Sequence, residues 1–282
     1  MTDDLLLVLI NYNEPKNTVK LIKNITKIKD FKKIKKILIL NNGAELVELK
    51  ELETVGIWIE NKTTDNNGFG AALNIGIQEA INLNVKYIWS LNIDVEIFDD
   101  TLSELLKLIS EDKIVGSVIH DKYKNTFIYQ YGTNGLDTWR GYRKVEPSNE
   151  SEILVDAVAG TSMLIGRNIF SQINFDEEYF MYVEENDYCY TAKLYGFRSY
   201  MCTNSIVLHE SGASFNDKSI RWYYKVRNLL KFKNKFWKNN NAILIIYLFL
   251  VTFKIYGFSY SYLKKYLRAI VDYKKKVYGK YK

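Results

Sequence analysis

Two prolines, two cysteines and two histidines are all that the 282 residues hold of those types, and each scarcity excludes something. A chain so rarely interrupted by proline, with 47% apolar residues, is long and apolar enough to bury a large core and shows no low-complexity linker. Cys189 and Cys202 are too few for a disulfide framework or a four-ligand zinc site, and they read as buried thiols in a reducing compartment. The basic, apolar, small-residue succession of a secretory signal is missing, because Asp3 and Asp4 precede the first apolar run. The expectation is a cytoplasmic protein. A membrane-spanning run is missing too: Ala242 to Phe253 is twelve residues long and ends at Lys254, where a bilayer needs roughly 20.

What is abundant is positive charge with aromatics. The net charge is +6, and the excess gathers after about Lys218, where Lys and Arg alternate with Tyr, Phe and Trp. Such a pattern suits phosphates and stacked bases or an anionic membrane surface. Lys264, Lys265, Arg268 and Lys274 to Lys276 flank the short apolar run, which favours the inner face of the cell membrane over nucleic acid. The competing reading is a helix packed on the rest of the chain or on a second subunit in a homodimer.

The first hundred residues alternate short apolar runs with helical periodicity, the pattern of a parallel sheet flanked by helices. Leu5 to Ile10, Lys36 to Leu40, Ile57 to Ile59 and Tyr87 to Leu91 predict four strands covered on both faces. Pro15 to Ile28 and Phe69 to Ile81 predict helices, with Pro15 at a first helical position. A further helix carries Leu102, Leu105, Leu106 and Ile109 on one face, and about 115–158 reads as hairpins. Residues 1–215 are taken as one α/β catalytic domain and 216–282 as a basic, aromatic helical tail.

Four local features can carry chemistry. Asn92-Ile93-Asp94 follows the fourth strand, at the ligand-binding edge of an open α/β sheet, where a carboxylate can hold Mg²⁺ or Mn²⁺ together with phosphate oxygens. The same residue type is also an ordinary turn or helix cap. The run from Asp65 to Asn74 opens a helix with Gly68 and Gly70, and backbone amides at such a start suit a phosphate or a sugar hydroxyl. Glu184, Glu185 and Asp187 crowd three carboxylates into four positions beside Tyr182 and Val183, which calls for a cation, solvent or substrate, or simply for a helix first turn. His209 closes an apolar stretch before the small-residue loop 210–214 and can ligate a metal. His120 reads as structural.

In this order the features resemble the family-2 glycosyltransferases of bacterial surface-polysaccharide assembly, especially the rhamnosyltransferase-like group. The landmarks are Asn11-Tyr12-Asn13, Leu40-Asn41-Asn42-Gly43, Asn67-Gly68-Phe69-Gly70 through Asn74, and Leu91 to Asp94. Ala159 to Ile165, Phe175-Asp176-Glu177, Tyr182 to Asp187, Gly196-Phe197, His209 to Ser214 and Arg227-Asn228 complete the series. The resemblance implies a GT-A fold, a Rossmann-like mixed sheet with the nucleotide over its first half and the acceptor over its second. It implies Asp94 as the metal-binding residue of the family's DXD motif, with Asn92 in the first position and His209 as the late metal and diphosphate ligand, so that Mn²⁺ or Mg²⁺ is the cofactor.

By the same resemblance Glu185 takes the place of the catalytic base, with Glu184 and Asp187 as alternatives. Asn11, Tyr12, Asn13, Asn42, Asn67, Gly68, Phe69, Asn74, Asn92 and Arg227 are implied to contact a nucleotide-diphosphate sugar. The acceptor would be a glycan or a lipid-linked alcohol, and Trp139, Arg140, Tyr142 and Arg143 would shape its site. Two positions depart from the pattern: Asn41-Asn42 stands where many relatives have Asp-Asn, and Asn186 replaces an apolar or small residue. A noncatalytic nucleotide- or sugar-binding subunit of the same fold is the alternative function, although a binding module needs no base. A nicotinamide-dependent oxidoreductase is disfavoured because Asn11-Tyr12-Asn13-Glu14-Pro15 stands where a glycine fingerprint would follow the first strand.

Overall fold

Three apolar runs of the first hundred residues, with a fourth strand that is half-exposed because it lies at the sheet edge, form the parallel half of a sheet. In the computed structural model, which describes residues 4–121, 129–130, 133–134, 143–144, 149–209, 217–237 and 241–281, they are β1 (Leu5–Asn11), β2 (Ile34–Asn41), β3 (Trp58–Thr63) and β4 (Tyr87–Leu91). They lie in the order β4-β1-β2-β3, all parallel, so Leu91, Asn11, Asn41 and Thr63 end at one edge. The crossovers run through α1 (Pro15–Ile25) and α2 (Phe69–Leu83). α1 stops three residues before Ile28, which stays buried in the turn that follows, and α2 runs two residues past Ile81 to a left-handed Asn84.

Beyond β4 the chain makes a short β5 (Val95–Ile97), α3 (Thr101–Leu108) and a long β6 (Lys113–Asp121). β6 is a central strand of the same sheet, where the turn residues of the middle third had suggested hairpins. Among the described residues, hairpin-like pairing joins two-residue pieces, β7 (Tyr129–Gln130) against β6 and β8 (Thr133–Asn134) against β9 (Arg143–Lys144). Then come β10 (Glu152–Val155), β11 (Ser162–Gly166), α4 (Arg167–Phe170), α5 (Glu184–Leu194) and β12 (Arg198–His209). The order β10-β12-β6-β11 continues the sheet from β4, with β11 antiparallel to both β4 and β6 and β12 parallel to β6. β12 therefore runs in the direction of β4, and its C-terminal residue His209 reaches the same edge as Leu91.

Alternate residues of β1 feed two cores, as a sheet covered on both faces requires. Leu5, Leu7 and Leu9 pack with α1 and α3, while Leu6 and Val8 pack with α2 and α5. The second core continues without a break past residue 215 into α6 (Lys218–Trp237), α7 (Ala242–Tyr256) and α8 (Tyr260–Lys274), taking in Trp222, Leu230, Leu248 and Tyr266. Both cysteines are buried free thiols, and burial pushes the Cys189 thiol up to about 11.

Candidate active site

Strand pairing assembles the first part of the site. β5 pairs antiparallel with the end of β12, setting His209 opposite Val95, the residue after Asp94. His209 Nε2 then lies 3.1 Å from Asp94 Oδ2. Both side chains are largely but not wholly shielded, at 18% and 13% exposure, so they remain open to a small ligand. Asn92, two residues before Asp94, is held by its backbone N–H on the Thr161 carbonyl, 2.9 Å away. Asp94 also lines a cleft of about 590 Å³ between β5 and α1, with Ile93, Phe98 and the α1 residues Lys16 and Lys20 on its walls.

A smaller cleft of about 220 Å³ opens at the C-terminal edge of β3. Asn42, Thr63, Thr64, Asp65, Asn67 and Ala71 are among its walls. Asn42 and Asn67 were expected at a donor site. Thr63 and Thr64 were not, since a pair of threonines at a strand end carries no sequence signal of its own. The Thr64 hydroxyl donates to Asn42 Oδ1 and so orients that amide.

Gly68, the residue before α2, shows why this loop needs glycine. It has φ of 103°, and a Cβ there would stand 2.1 Å from the Phe180 carbonyl oxygen. The close approach that the glycine permits is to the protein's own backbone, and Phe69 N–H donates to that same carbonyl at 2.9 Å. Asn74 likewise turns inward. It accepts from Phe175 N–H at 2.8 Å and donates to the Phe175 carbonyl and to Glu177, which ties α2 to the segment leading into the acidic cluster. Asn11 is fully buried and bonds Asn41 and the Glu45 carbonyl, and Asn13 accepts from Glu45 N–H. These two amides shape the loop after β2, whereas Tyr12 is exposed.

The acidic cluster at the start of α5 divides by partner. Asp187 is buried, accepts from the Tyr179 hydroxyl at 2.9 Å and pairs with Lys235 at 2.7 Å. Its oxygens are occupied. Glu184 is 5% exposed, and among the described residues no hydrogen bond reaches its Oε2. Burial, followed by the neighbouring Glu185 charge, lifts the Glu184 carboxyl well above the usual carboxylate range. Glu185 is half-buried, and burial raises its pKa as well, against the opposing pull of Lys225. Its Cβ lies beside Gly160, which also faces the Phe69 ring.

Tyr182 joins the two parts of the site. Burial raises the pKa of its phenol, and the charges of Arg221, Glu184, Glu185 and Asp94 also act on it. The charges of the metal-candidate carboxylate and of the base-candidate carboxylates thus bear on one phenol. Lys225 stands 5.1 Å from the centre of the Tyr182 ring. Sequence reasoning singled out neither Arg221 nor Lys225, because on a helix so rich in cations nothing local marks these two.

The turn carrying Tyr182 is strained. Phe180, Tyr182 and Val183 have φ of 63°, 66° and 77°, a region that disfavours bulky L-residues and is found where surroundings impose it. The imposing groups are Asn228 and Arg227. Asn228 Nδ2 donates to the carbonyls of Tyr179, Met181 and Tyr182 at 2.9, 2.7 and 2.8 Å. Arg227 is 1% exposed and directs its guanidinium to the carbonyls of Tyr179, Glu178 and Gly279 and to Asn228 Oδ1 and the Tyr223 hydroxyl. With five N–H groups so engaged, Arg227 brackets the turn instead of reaching a ligand beside Asp94. One turn and two turns further along α6, Lys231 pairs with Asp176 at 2.8 Å and Lys235 with Asp187. Much of the positive charge of α6 is thus spent inside the molecule. Residues 210–214, Trp139, Arg140 and Tyr142 lie outside the described residues, and Arg143 is described only as backbone in β9.

A mixed sheet whose parallel half is β4-β1-β2-β3, with a carboxylate just past β4 and acidic residues opening a later helix, defines a GT-A glycosyltransferase. The chain belongs to glycosyl transferase family 2, whose family model matches residues 7–173, more than half of its length. It is similar to the low-salt glycan biosynthesis hexosyltransferase Agl10 of Haloferax volcanii, 23% identical over 255 residues that cover 86% of this chain and 77% of the relative. It is also similar to the rhamnosyltransferase WbbL of Escherichia coli K12, 27% identical over 56% of this chain and 67% of the relative. Among solved structures the fold matches GalNAc-T7 with UDP, GalNAc and Mn²⁺ at a TM-score of 0.68 and 16% identity, covering 97% of this chain but 56% of that one. The mannosyltransferase PcManGT of Pyrobaculum calidifontis, in complex with GDP-Man and Mn²⁺, matches at 0.59 and 12% identity, over 96% of this chain and 75% of the other. The enzyme is a glycosyltransferase of glycan biosynthesis.

Proposed function

We propose that this chain transfers a sugar from a nucleotide-diphosphate donor to an acceptor hydroxyl, with inversion at the anomeric carbon, in the assembly of a cell-surface glycan. The observation that carries the proposal is the meeting of Asp94 and His209 at the C-terminal edge of the sheet, with, at the start of α5, the half-buried Glu185 and a Glu184 whose Oε2 is without a hydrogen bond among the described residues. The nucleotides and Mn²⁺ in the solved neighbours and the glycan-building relatives point the same way.

The donor set fits a divalent ion. A carboxylate oxygen and an imidazole nitrogen at one spot suit Mn²⁺ or Mg²⁺, and among the described residues no third His, Cys, Asp or Glu joins them. Coordination positions are thereby left to diphosphate oxygens and water. When bound, the ion supplies positive charge against that growing on the departing diphosphate.

The chain's own groups do the rest. The cleft at Asn42, Thr64 and Asn67 takes the nucleoside, and the acceptor lies on the side of Glu185. Glu185 accepts the hydroxyl proton, the acceptor oxygen bonds the anomeric carbon, and the bond from that carbon to the diphosphate breaks. A single displacement of this kind inverts the centre. Burial of Glu185 suits it to the task, because a carboxylate lifted above its ordinary range is a stronger base than a solvated one. Asp187, tied to Tyr179 and Lys235, is the least suited of the three. Thermal shift with nucleoside diphosphates, with and without Mn²⁺, tests the reading: stabilisation that needs both supports it, and none by any pair sinks it.

A further inference from the structure

α7 exposes an apolar face that none of the described residues covers. Its inner side is anchored: Leu244 and Leu248 are buried, Trp222 Nε1 donates to the Thr252 hydroxyl at 3.0 Å, and the Tyr266 hydroxyl donates to the Ile245 carbonyl at 2.8 Å. On the other side Ile243, Ile246 and Leu250 are each about three-fifths exposed, as is Ile255. Phe258, just past the helix, is 92% exposed and continues a ladder of rings from Phe249 through Phe253, with centres 4.7 and 4.8 Å apart. Isolated surface leucines are ordinary, but a contiguous patch of this size marks an interaction surface.

The charge of the segment that carries the patch says which kind. From residue 241 to the end there are nine Lys or Arg and a single acid, Asp272. Asp272 is buried against the Tyr223 hydroxyl and Arg268, so it offers the surface no negative charge. Lys254, Lys264 and Lys274 are exposed on α7 and α8. A second copy seated by two-fold symmetry would press these like charges together. An anionic lipid surface satisfies both features at once, taking the apolar side chains below the headgroups and the cations among the phosphates. Twelve uncharged residues reach about 18 Å along a helix, short of the hydrocarbon thickness. Among the described residues no helix is long and apolar enough to cross a membrane.

We infer that the outer face of α7, with the cations of α8, seats the enzyme on an anionic bilayer as an in-plane apolar anchor. α6 packs against both helices and carries the Arg227-Asn228 bracket, so the anchored face is joined directly to the catalytic turn.

The test is flotation of the full chain with vesicles of phosphatidylcholine alone and of phosphatidylcholine and phosphatidylglycerol in equal parts. The expected result is binding to the second kind, weakened by salt. Ile246→Ser with Leu250→Ser, and separately Lys264→Glu with Lys274→Glu, should each lower partitioning about tenfold or more at unchanged melting temperature. Should the serine pair itself melt early, Phe258→Ser outside the helix replaces it. Failure to bind either vesicle, or undiminished binding by the folded variants, overturns the inference. So does a dimer in sedimentation velocity that the serine pair dissociates. Vesicle binding needs neither donor nor metal, so its failure is distinguishable from failure of the transfer reaction.

Discussion

Asp94 and His209 stand 115 positions apart in the chain, and their side chains meet at 3.1 Å. The contact follows from the antiparallel pairing of β5 with the last residues of β12. Replacing either residue should weaken metal-dependent nucleotide binding by at least the roughly tenfold to hundredfold that even outer-shell partners of a metal cost. Titration calorimetry of Mn²⁺ with a nucleoside diphosphate on wild type, Asp94→Asn and His209→Ala reads this directly. Unchanged affinity in both variants would remove the pair from the metal role.

Glu185 and Asp187 should respond in opposite ways to amide substitution. Glu185→Gln is expected to lower kcat by about 10²–10⁴ with nucleotide affinity and melting temperature nearly intact, the effect of losing a general base. Asp187→Asn leaves Lys235 without its carboxylate and weakens the Tyr179 bond, so it should cost about 1–3 kcal/mol of stability. A transfer assay beside a thermal melt separates the two, and loss of turnover only in Asp187→Asn at unchanged stability would reverse the assignment.

The buried carboxyls make a prediction about pH. Burial raises the folded-state pKa of Glu184 and Glu185, so the native state binds more protons than the unfolded chain above the ordinary carboxylate range. Their contribution to stability is full below the unfolded value and is lost as pH rises through the folded one. Glu184→Gln should therefore raise the melting temperature at pH 8 and change it little at pH 4. A gain of equal size at both would show that charge burial is not the cause. For the same reason the acid limb of kcat/KM should fall at a pH above the ordinary carboxylate value of about 4.3.

Arg227 can be assigned by substitution. As a bracket on the turn at 178–182, Arg227→Lys should lose about 3 kcal/mol of stability, since one ammonium cannot reproduce the forked donors. Nucleotide affinity in the folded fraction should hold. As a diphosphate ligand it would instead lose affinity with little change in melting. Asn228→Ala, which strips three carbonyls of their shared donor, should lower kcat more than it raises KM, because the strained turn positions Glu184 and Glu185.

The sequence by itself determined the parallel half of the fold. The runs Leu5 to Ile10 in β1, Ile37 to Leu40 in β2 and Tyr87 to Trp89 in β4 are apolar because both faces are covered, and that property is local. It also marked the strand end at Asp94 and the carboxylate cluster at Glu184 to Asp187, since residue type and position at an element boundary are written in the chain. Only the tertiary structure decided the partners. Which of three neighbouring carboxylates keeps a free oxygen depends on Lys235 and Tyr179, and Lys235 comes from a helix 48 residues away. Arg227 looks like a phosphate ligand by type and is committed to backbone carbonyls by its burial. The cations of α6 and those of α8 are the same residues by composition, yet packing turns several of the first set inward to Asp176 and Asp187 and leaves Lys264 and Lys274 to face outward. Local propensity and patterning are short-range and legible in one dimension, whereas pairing and burial are contacts between distant segments and exist only once the sheet has closed.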